Sequence, residues 1–108
     1  MEVRISARHT TLPASLTTRA TEVLSKLTKF DSRISAVDVV FVEENRSCKA
    51  EGIVHIDRSE PIVASGEAED FNSALMRLHD RLVRQLRRHH EQSRDHQAPK
   101  LTETLSQE

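Results

Sequence analysis

The sequence predicts an α+β domain in which a four-stranded mixed sheet carries two helices packed on one face. Four short segments alternate apolar with polar side chains, which is typical of half-buried strands. Two longer segments repeat apolar residues every three or four positions, as amphipathic helices do. The segments follow one another in the order β-α-β-β-β-α. Because each helix has a single apolar stripe, both are expected on the same face of the sheet.

The N-terminal third is expected to form a strand and then a helix. Apolar side chains take alternate positions in Met1–Ala7, so this strand should bury one face. The helix is predicted over Pro13–Phe30, since proline suits the first turn of a helix. Its apolar stripe consists of Leu16, Ala20, Val23, Leu24, Leu27 and Phe30. A helix that connects two neighbouring strands makes a right-handed crossover, so those strands should run parallel.

The middle of the chain is expected to form an antiparallel meander. Strands are predicted over Ala36–Glu44, Cys48–Asp57 and Ile62–Glu69, and the connections between them are short. The face away from the helices, called here the open sheet face, should be acidic with an apolar strip. Its expected members are Glu43, Glu51, Asp57, Glu67 and Glu69 with Val40, Val42, Ile53 and Val63. Such a strip could serve a protein partner. The alternatives are that the predicted strand phase is wrong by one residue, which would invert every side chain, or that the helices cover part of this face.

The final helix, predicted over Asp70–Arg94, carries the strongest functional signal. Asp70 stands where a helix cap is expected. The apolar stripe consists of Phe71, Ala74, Leu75, Leu78, Leu82 and Leu86. At about 100° per residue, four arginines fall within a sector about 60° wide beside that stripe; they are Arg77, Arg81, Arg84 and Arg88, with Arg87 next to them. Three histidines, His79, His89 and His90, add titratable charge.

A row of guanidinium groups on a helix has two interpretations. Arginine forms bidentate charge-assisted bonds to phosphate, so the row can lie along a nucleic-acid backbone. Charged helix faces are more often simply solvated. Between Arg77 and His90, however, there are five arginines and one acidic residue, Asp80. A solvated face usually alternates opposite charges at i and i+4, so the imbalance favours phosphate binding.

The charges are unevenly distributed although the net charge is only −1. Residues 1–35 carry six basic and three acidic groups, residues 36–69 carry three and eight, and residues 70–96 carry six and four. The chain therefore has two basic ends and an acidic middle. If the ends meet in the fold, one face is positive, and a dipolar protein of this kind can be steered onto a polyanion.

Other classes of function find little support in the sequence. No stretch approaches the about 18 apolar residues of a membrane helix, and the N-terminus lacks the apolar core of a secretory signal. The single cysteine, Cys48, suits a reduced compartment, so a cytoplasmic protein is expected. The histidines lack metal-ligand spacing, and no nucleophile has an identifiable base. We therefore expect no enzyme activity, no metal and no cofactor.

The final helix resembles that of the ribosome hibernation-promoting factor and ribosome-associated translation inhibitor family. The stretch EDFNSALMRLHDRLVRQLRRHH (Glu69–His90) has an acidic start and matches the family's "DKLxxQL" core, with Arg in place of Lys. The resemblance extends over residues 2–96 with the same element order. It includes LSKLTKFDSRI (Leu24–Ile34), VDVV (Val37–Val40) and IVHID (Ile53–Asp57). It implies a hibernation-factor domain over residues 1–96, and we expect residues 97–108 to form a disordered polar tail.

The resemblance also implies a function and its partners. Members of the family bind the small ribosomal subunit near the decoding centre, occupy the path of mRNA and tRNA, and so silence idle ribosomes under stress or in stationary phase. The implied partners are this subunit, with its 16S-type ribosomal RNA, and the 70S ribosome. The chain resembles a short member of the family, which either works with a separate ribosome-dimerising factor or holds ribosomes as single particles.

Seven basic side chains of the two helices are expected to contact ribosomal RNA. This set, called here the basic helix layer, consists of Arg19, Lys26, Arg77, Arg81, Arg84, Arg87 and Arg88. Arg4 and Arg8 are further candidates. Binding through phosphates should weaken steeply with salt. Two other functions stay open: a module whose protein partner docks on the open sheet face, and a binder of any double-stranded RNA that reads A-form shape.

Overall fold

The computed structural model describes the backbone of residues 1–97 and the side chains of residues 1–91. The elements are β1 (Glu2–Arg8), α1 (Ala14–Ser25), a short 3-10 helix (Lys26–Lys29), β2 (Ile34–Glu44), β3 (Ser47–Ile56), β4 (Ile62–Ala68) and α2 (Phe71–Gln97). This order confirms the predicted fold class. The tail predicted for residues 97–108 lies outside the described residues apart from Gln97, the last residue of α2.

The four strands form one mixed sheet in the order β1-β2-β3-β4. β1 runs parallel to β2, and the other two neighbouring pairs are antiparallel, as predicted. Both helices cover the same face, and the core between sheet and helices is almost entirely aliphatic around Phe41. β1 and β4 are the edges of the sheet, and α2 packs against β4 and β3. The edge strand β4 is therefore the strand that positions the arginine-rich helix.

The first helix is shorter than the single helix predicted over Pro13–Phe30. Regular α-helix ends at Ser25, and the chain tightens into the 3-10 helix before Phe30. Hydroxyl side chains bond backbone carbonyl groups in these turns: Ser25 Oγ donates to Glu22 O at 3.1 Å, and Thr28 Oγ1 donates to Ser25 O at 3.2 Å. A 3-10 turn is a common ending for an α-helix.

Gly66 allows α2 to lie directly on β4. A Cβ atom at this position would stand 2.5 Å from Ala74 O and 2.5 Å from Leu78 N, both backbone atoms of α2. Any larger residue would therefore push the helix away from the strand. The close approach brings the side chains on one flank of α2 within reach of the outer edge of β4.

Asp70 caps α2 as the sequence predicts. Its Oδ1 accepts a hydrogen bond from Ser73 N at 2.7 Å, and its Oδ2 accepts one from Ser73 Oγ at 3.0 Å. These bonds favour the charged carboxylate and hold the pKa of Asp70 below its usual value. The cap fixes the start of α2 and therefore the direction in which its arginines point.

Candidate nucleic-acid interface

One flank of α2 lies along the free edge of β4. Arg77 Nη1 donates to Glu67 O at 2.5 Å, Arg81 Nη1 donates to Ser65 O at 2.6 Å, and Gln85 Nε2 donates to Val63 O at 3.3 Å. Donors four residues apart on the helix thus meet carbonyls two residues apart on the strand. Exposed edge carbonyls invite pairing with another chain, and these side chains cover them.

The same bonds orient the guanidinium groups of Arg77 and Arg81 but leave most of their N–H donors free. Each guanidinium has five N–H donors, and the edge bond of each arginine uses one nitrogen, Nη1. Both side chains are solvent-exposed. Because the edge bonds restrict the rotation of these side chains, their remaining N–H groups are held in a fixed row. This restriction lowers the entropy cost of any further hydrogen bond that these N–H groups form.

Three further arginines extend the row toward the C-terminal half of α2. Arg84, Arg87 and Arg88 are all exposed, and they line a cleft beside the 3-10 helix. The guanidinium carbon of Arg87 lies 5.4 Å from the centroid of the Phe30 ring. This contact ties the basic flank of α2 to the end of the first helical segment.

The first helical segment contributes the other two members of the basic helix layer. Arg19 is exposed on α1, and its Nη2 lies 4.0 Å from Met76 Sδ on α2. Lys26 is exposed at the first residue of the 3-10 helix. All seven predicted residues are therefore exposed and lie on the two helices that cover one side of the sheet.

Arg4 and Arg8 lie on the opposite side of the molecule. They alternate with Val3 and Ile5, which pack toward the core, so both point to the open sheet face. Arg4 Nε donates to Asp38 Oδ1 at 2.5 Å, and Arg8 Nη2 lies 3.6 Å from Glu51 Oε1. The structure thus separates these two candidates from the basic helix layer. A period-two pattern already indicates this placement, since the intervening apolar residues face the helices.

His89 does not belong to the basic surface on which the sequence interpretation placed it. Its Nε2 lies 2.9 Å from Ser59 Oγ in the β3–β4 turn, and its Nδ1 lies 3.9 Å from Asp31 Oδ2. The side chain therefore joins α2 to two loops at the far end of the sheet. The sequence spacing indicates this inward position, because His89 continues the apolar stripe that runs through Leu82 and Leu86.

Asp31 fixes the loop that follows the 3-10 helix. Its buried carboxylate accepts hydrogen bonds from Arg33 N at 2.9 Å, Arg33 Nε at 3.2 Å and Arg33 Nη2 at 3.0 Å. These bonds hold the pKa of Asp31 below its usual value even though burial acts in the opposite direction. The loop follows Phe30 directly, so it sets the position of the aromatic ring in the cleft.

The open sheet face is a paired polar surface and not simply an acidic one. Asp38 bonds Arg4 and lies 2.8 Å from His55 Nε2, while Glu51 lies 3.2 Å from Lys49 Nζ. The bonds from Arg4 hold the pKa of Asp38 below its usual value. Of the predicted acidic members, Glu51 and Glu67 are on this face; the register places Glu43 on the helix side with Phe41, and Asp57 and Glu69 lie outside the strands.

The apolar strip of the open sheet face is small. Ile53 and Val63 are direct neighbours across β3 and β4 and are 37% and 61% exposed. Val40 is half-buried, and Val42 is buried. The exposed apolar part therefore amounts to one cross-strand pair.

Within residues 1–97, neither helix is long and apolar enough to cross a membrane. Among the residues that the structure describes, no three His, Cys, Asp or Glu side chains are grouped so that they could hold a metal ion.

Residues 3–94 match the model of the family described as Sigma 54 modulation protein / S30EA ribosomal protein. The chain belongs to this family. The match spans every strand and nearly all of α2, so the whole basic helix layer lies inside the family domain.

Relatives in the S30EA family include proteins named ribosome hibernation promoting factor. One from Azotobacter vinelandii is 33% identical over 97 residues, which is 90% of this chain and 90% of the relative. One from Escherichia coli K12 is 29% identical over 96 residues, which is 89% of this chain and all of the relative.

Solved structures confirm the fold. A ribosomal subunit interface protein from Coxiella burnetii superposes with a TM-score of 0.78 at 18% identity and covers 84% of this chain and 99% of its own. The N-terminal domain of Thermus thermophilus Protein Y superposes with a TM-score of 0.73 at 20% identity over 82% of this chain and 98% of its own. The β-α-β-β-β-α arrangement of this chain therefore matches the fold of both solved structures.

Proposed function

We propose that this protein is a ribosome hibernation factor that binds the small ribosomal subunit near the decoding centre and inhibits translation. Membership of the S30EA family and relatives named ribosome hibernation promoting factor support a hibernation role. The family is one of ribosome-associated factors, which act in the cytoplasm. The observation that carries the proposal is the basic helix layer, seven exposed cations on one side of the fold.

The basic helix layer supplies the contacts to 16S-type ribosomal RNA in this proposal. Arg77 and Arg81 are held in a row by the carbonyls of β4, and Arg84, Arg87 and Arg88 continue it. Arg19 and Lys26 add positive charge from the neighbouring helical segment. Such contacts fix position on the phosphate backbone and do not read sequence. Specificity for the subunit then comes from the shape of the RNA surface that the two helices fit.

Inhibition follows from occupancy in this proposal and needs no chemical step. A folded domain seated between the head and the body of the small subunit excludes mRNA and the A- and P-site tRNAs. The protein then either works with a separate ribosome-dimerising factor or holds 70S ribosomes as single particles. Removal of the factor should restore translation, because nothing in the ribosome has been modified.

Sedimentation through sucrose at low and high salt tests the proposal. The purified protein is mixed with small subunits, with 70S ribosomes and, in parallel, with duplex RNA of random sequence. We expect stoichiometric co-sedimentation with small subunits at low salt and steep loss of binding as salt rises. Equal binding to duplex RNA would indicate a general reader of A-form shape. Salt-insensitive binding that Val63→Asp abolishes would indicate a protein partner on the open sheet face.

A further inference from the structure

An open cleft of about 570 Å³ lies between the 3-10 helix and the C-terminal half of α2. Two half-buried apolar side chains, Phe30 and Val83, form part of its lining. Its charged lining residues are four cations and two carboxylates: Lys29, Arg84, Arg87, Arg88, Asp80 and Glu91. The volume lies within the range of small-molecule and nucleotide sites. The cleft therefore combines an aromatic surface with an excess of positive charge.

Phe30 carries two cations at its ring. Lys29 Nζ lies 5.3 Å and Arg87 Cζ lies 5.4 Å from the ring centroid. Within residues 1–91, neither cation forms an ion pair with a carboxylate. A cation–π contact on this half-buried ring is weaker than a charge-assisted hydrogen bond to phosphate, so both groups remain available for a stronger anionic partner beside the ring.

One ligand class matches an aromatic ring flanked by unpaired cations. A nucleotide presents a flat base, which stacks on aromatic side chains, next to a phosphate, which binds guanidinium groups. Bases within a duplex are paired and stacked and cannot reach such a ring. Single-stranded loops, bulges and ends expose their bases, and proteins that recognise RNA commonly take hold of them there.

We propose that this cleft binds one unstacked nucleotide of a single-stranded RNA segment, with its base on Phe30 and its phosphate on Arg84 and Arg87. A base on the ring displaces one of the two cations, which then pairs with the adjacent phosphate. The inference rests on the proposed function and adds to it a contact that is not electrostatic. The basic helix layer would bind the phosphates of the RNA backbone at any position. The cleft would bind only where one base of the RNA is unstacked.

Replacement of the ring tests the stacking contact directly. Phe30→Leu keeps an apolar side chain at the edge of the core but removes the flat surface. We expect its affinity for small subunits to fall about tenfold. Because stacking releases no counterions, the slope of log affinity against log salt should stay unchanged in this variant. In Arg84→Gln the slope should instead fall by about 0.7, as expected for one lost phosphate contact.

Phe71→Leu is the matched control for loss of an aromatic ring. Phe71 lies at the other end of α2, where its ring meets Phe41 edge to face at 5.5 Å, far along the helix from the cleft. We expect this variant to bind small subunits with the affinity of the original protein. If both variants prove less stable and bind equally poorly, the loss reflects folding, and the next measurement decides.

Fluorescence of a single introduced tryptophan reports directly on the environment of the ring. The chain contains no Trp and no Tyr, so Phe30→Trp provides the only indole. We expect its emission to be quenched when small subunits bind, whereas the emission of Val63→Trp on the open sheet face should not change. A single-stranded poly(U) of ten nucleotides, whose bases stack little on one another, should also quench the Phe30→Trp emission, whereas duplex RNA should not.

The outcomes separate this inference from the proposed function. Co-sedimentation of Phe30→Trp without a change in emission, together with full affinity of Phe30→Leu, would overturn the nucleotide cleft and leave ribosome binding intact. Failure of the original protein to co-sediment would overturn the proposed function. In that case the poly(U) titration still tests the cleft, and unchanged emission would overturn it as well.

Discussion

Arg81 and Arg84 have different environments although they are three residues apart on one helix. Arg81 donates to Ser65 O on the edge of the sheet, whereas Arg84 is exposed at the cleft. At the scale of single residues, Arg81 therefore stabilises the contact between α2 and β4 in addition to its proposed role in RNA binding, whereas Arg84 has the proposed role alone. A substitution should expose this difference.

We predict that Arg81→Gln lowers both stability and binding, while Arg84→Gln lowers binding alone. Loss of the hydrogen bond from a charged donor to an exposed carbonyl should cost about 1 kcal/mol of unfolding free energy. Urea unfolding and salt-dependent binding to small subunits measure the two effects. Equal stability of the two variants would show that the edge bond contributes nothing.

Asp31 provides a second residue-level prediction, because hydrogen bonds from Arg33 lower its pKa. A carboxyl group with a depressed folded-state pKa stabilises the fold above its unfolded pKa of about 3.9, and this contribution is lost as the pH falls through the folded-state value. Asp31→Asn should therefore cost about 1–2 kcal/mol at pH 7. The difference from the original protein should shrink below about pH 4. Urea unfolding at pH 7 and pH 3.5 checks this, and a constant difference would contradict it.

Sequence patterns predicted the exposure of the seven basic residues but not their individual contacts. Helical periodicity fixes which side a residue faces, so it separates Arg77 and Arg81 from the core. Which carbonyl each guanidinium meets depends on how closely α2 approaches β4, and that follows from tertiary packing. The helical spacing of His89 indicates that it faces inward, whereas its polar side chain is typical of an exposed position.

At the scale of elements, the contact between α2 and β4 determines where the arginine row stands. Gly66 permits the contact, since any Cβ there would meet backbone atoms of α2 at 2.5 Å. Gly52 also faces α2, but a Cβ there would meet only Leu78 side-chain carbons at 3.0 to 3.5 Å. A flexible side chain can shift by a few tenths of an ångström, whereas two backbone segments cannot do so without moving the helix.

We predict that Gly66→Ala destabilises the protein by about 2–3 kcal/mol, as overpacking of a tight contact does. Gly52→Ala is the matched control and should cost clearly less. The measurement is the urea midpoint of each variant, compared at constant denaturant slope. If the two alanine variants prove equally stable, the close approach of α2 to β4 does not constrain the fold.

The order and type of the elements were predictable because long periodic segments determine them. The break of the first helix at Ser25 was not predictable from the sequence, because Leu27 and Phe30 maintain the apolar spacing through the 3-10 turn. Hydroxyl side chains of Ser25 and Thr28 compete for backbone carbonyls there, and this effect is weak in sequence patterns. Phe30 follows this break and lies beside α2, in the cleft that we propose as a nucleotide site.

At the scale of the whole molecule, charge is sorted between two sides of one sheet. The helices carry exposed cations, while the open sheet face pairs its cations with carboxylates, as in Arg4 with Asp38 and Lys49 with Glu51. A near-neutral protein of this kind can still approach a polyanion with its helices first. The two basic ends of the sequence indicated this sorting, except that the β1 arginines fall on the opposite side.

The most direct test of the account compares two charge-matched double variants in binding to small ribosomal subunits. Arg84→Gln with Arg88→Gln removes two positive charges from the basic helix layer, and Arg46→Gln with Lys49→Gln removes two from the β2–β3 hairpin. We predict that the first pair weakens binding and lowers the salt slope by about 1–2, while the second pair binds as the original protein does. Equal affinities of the two double variants would contradict the assignment of the helices as the ribosome-binding side.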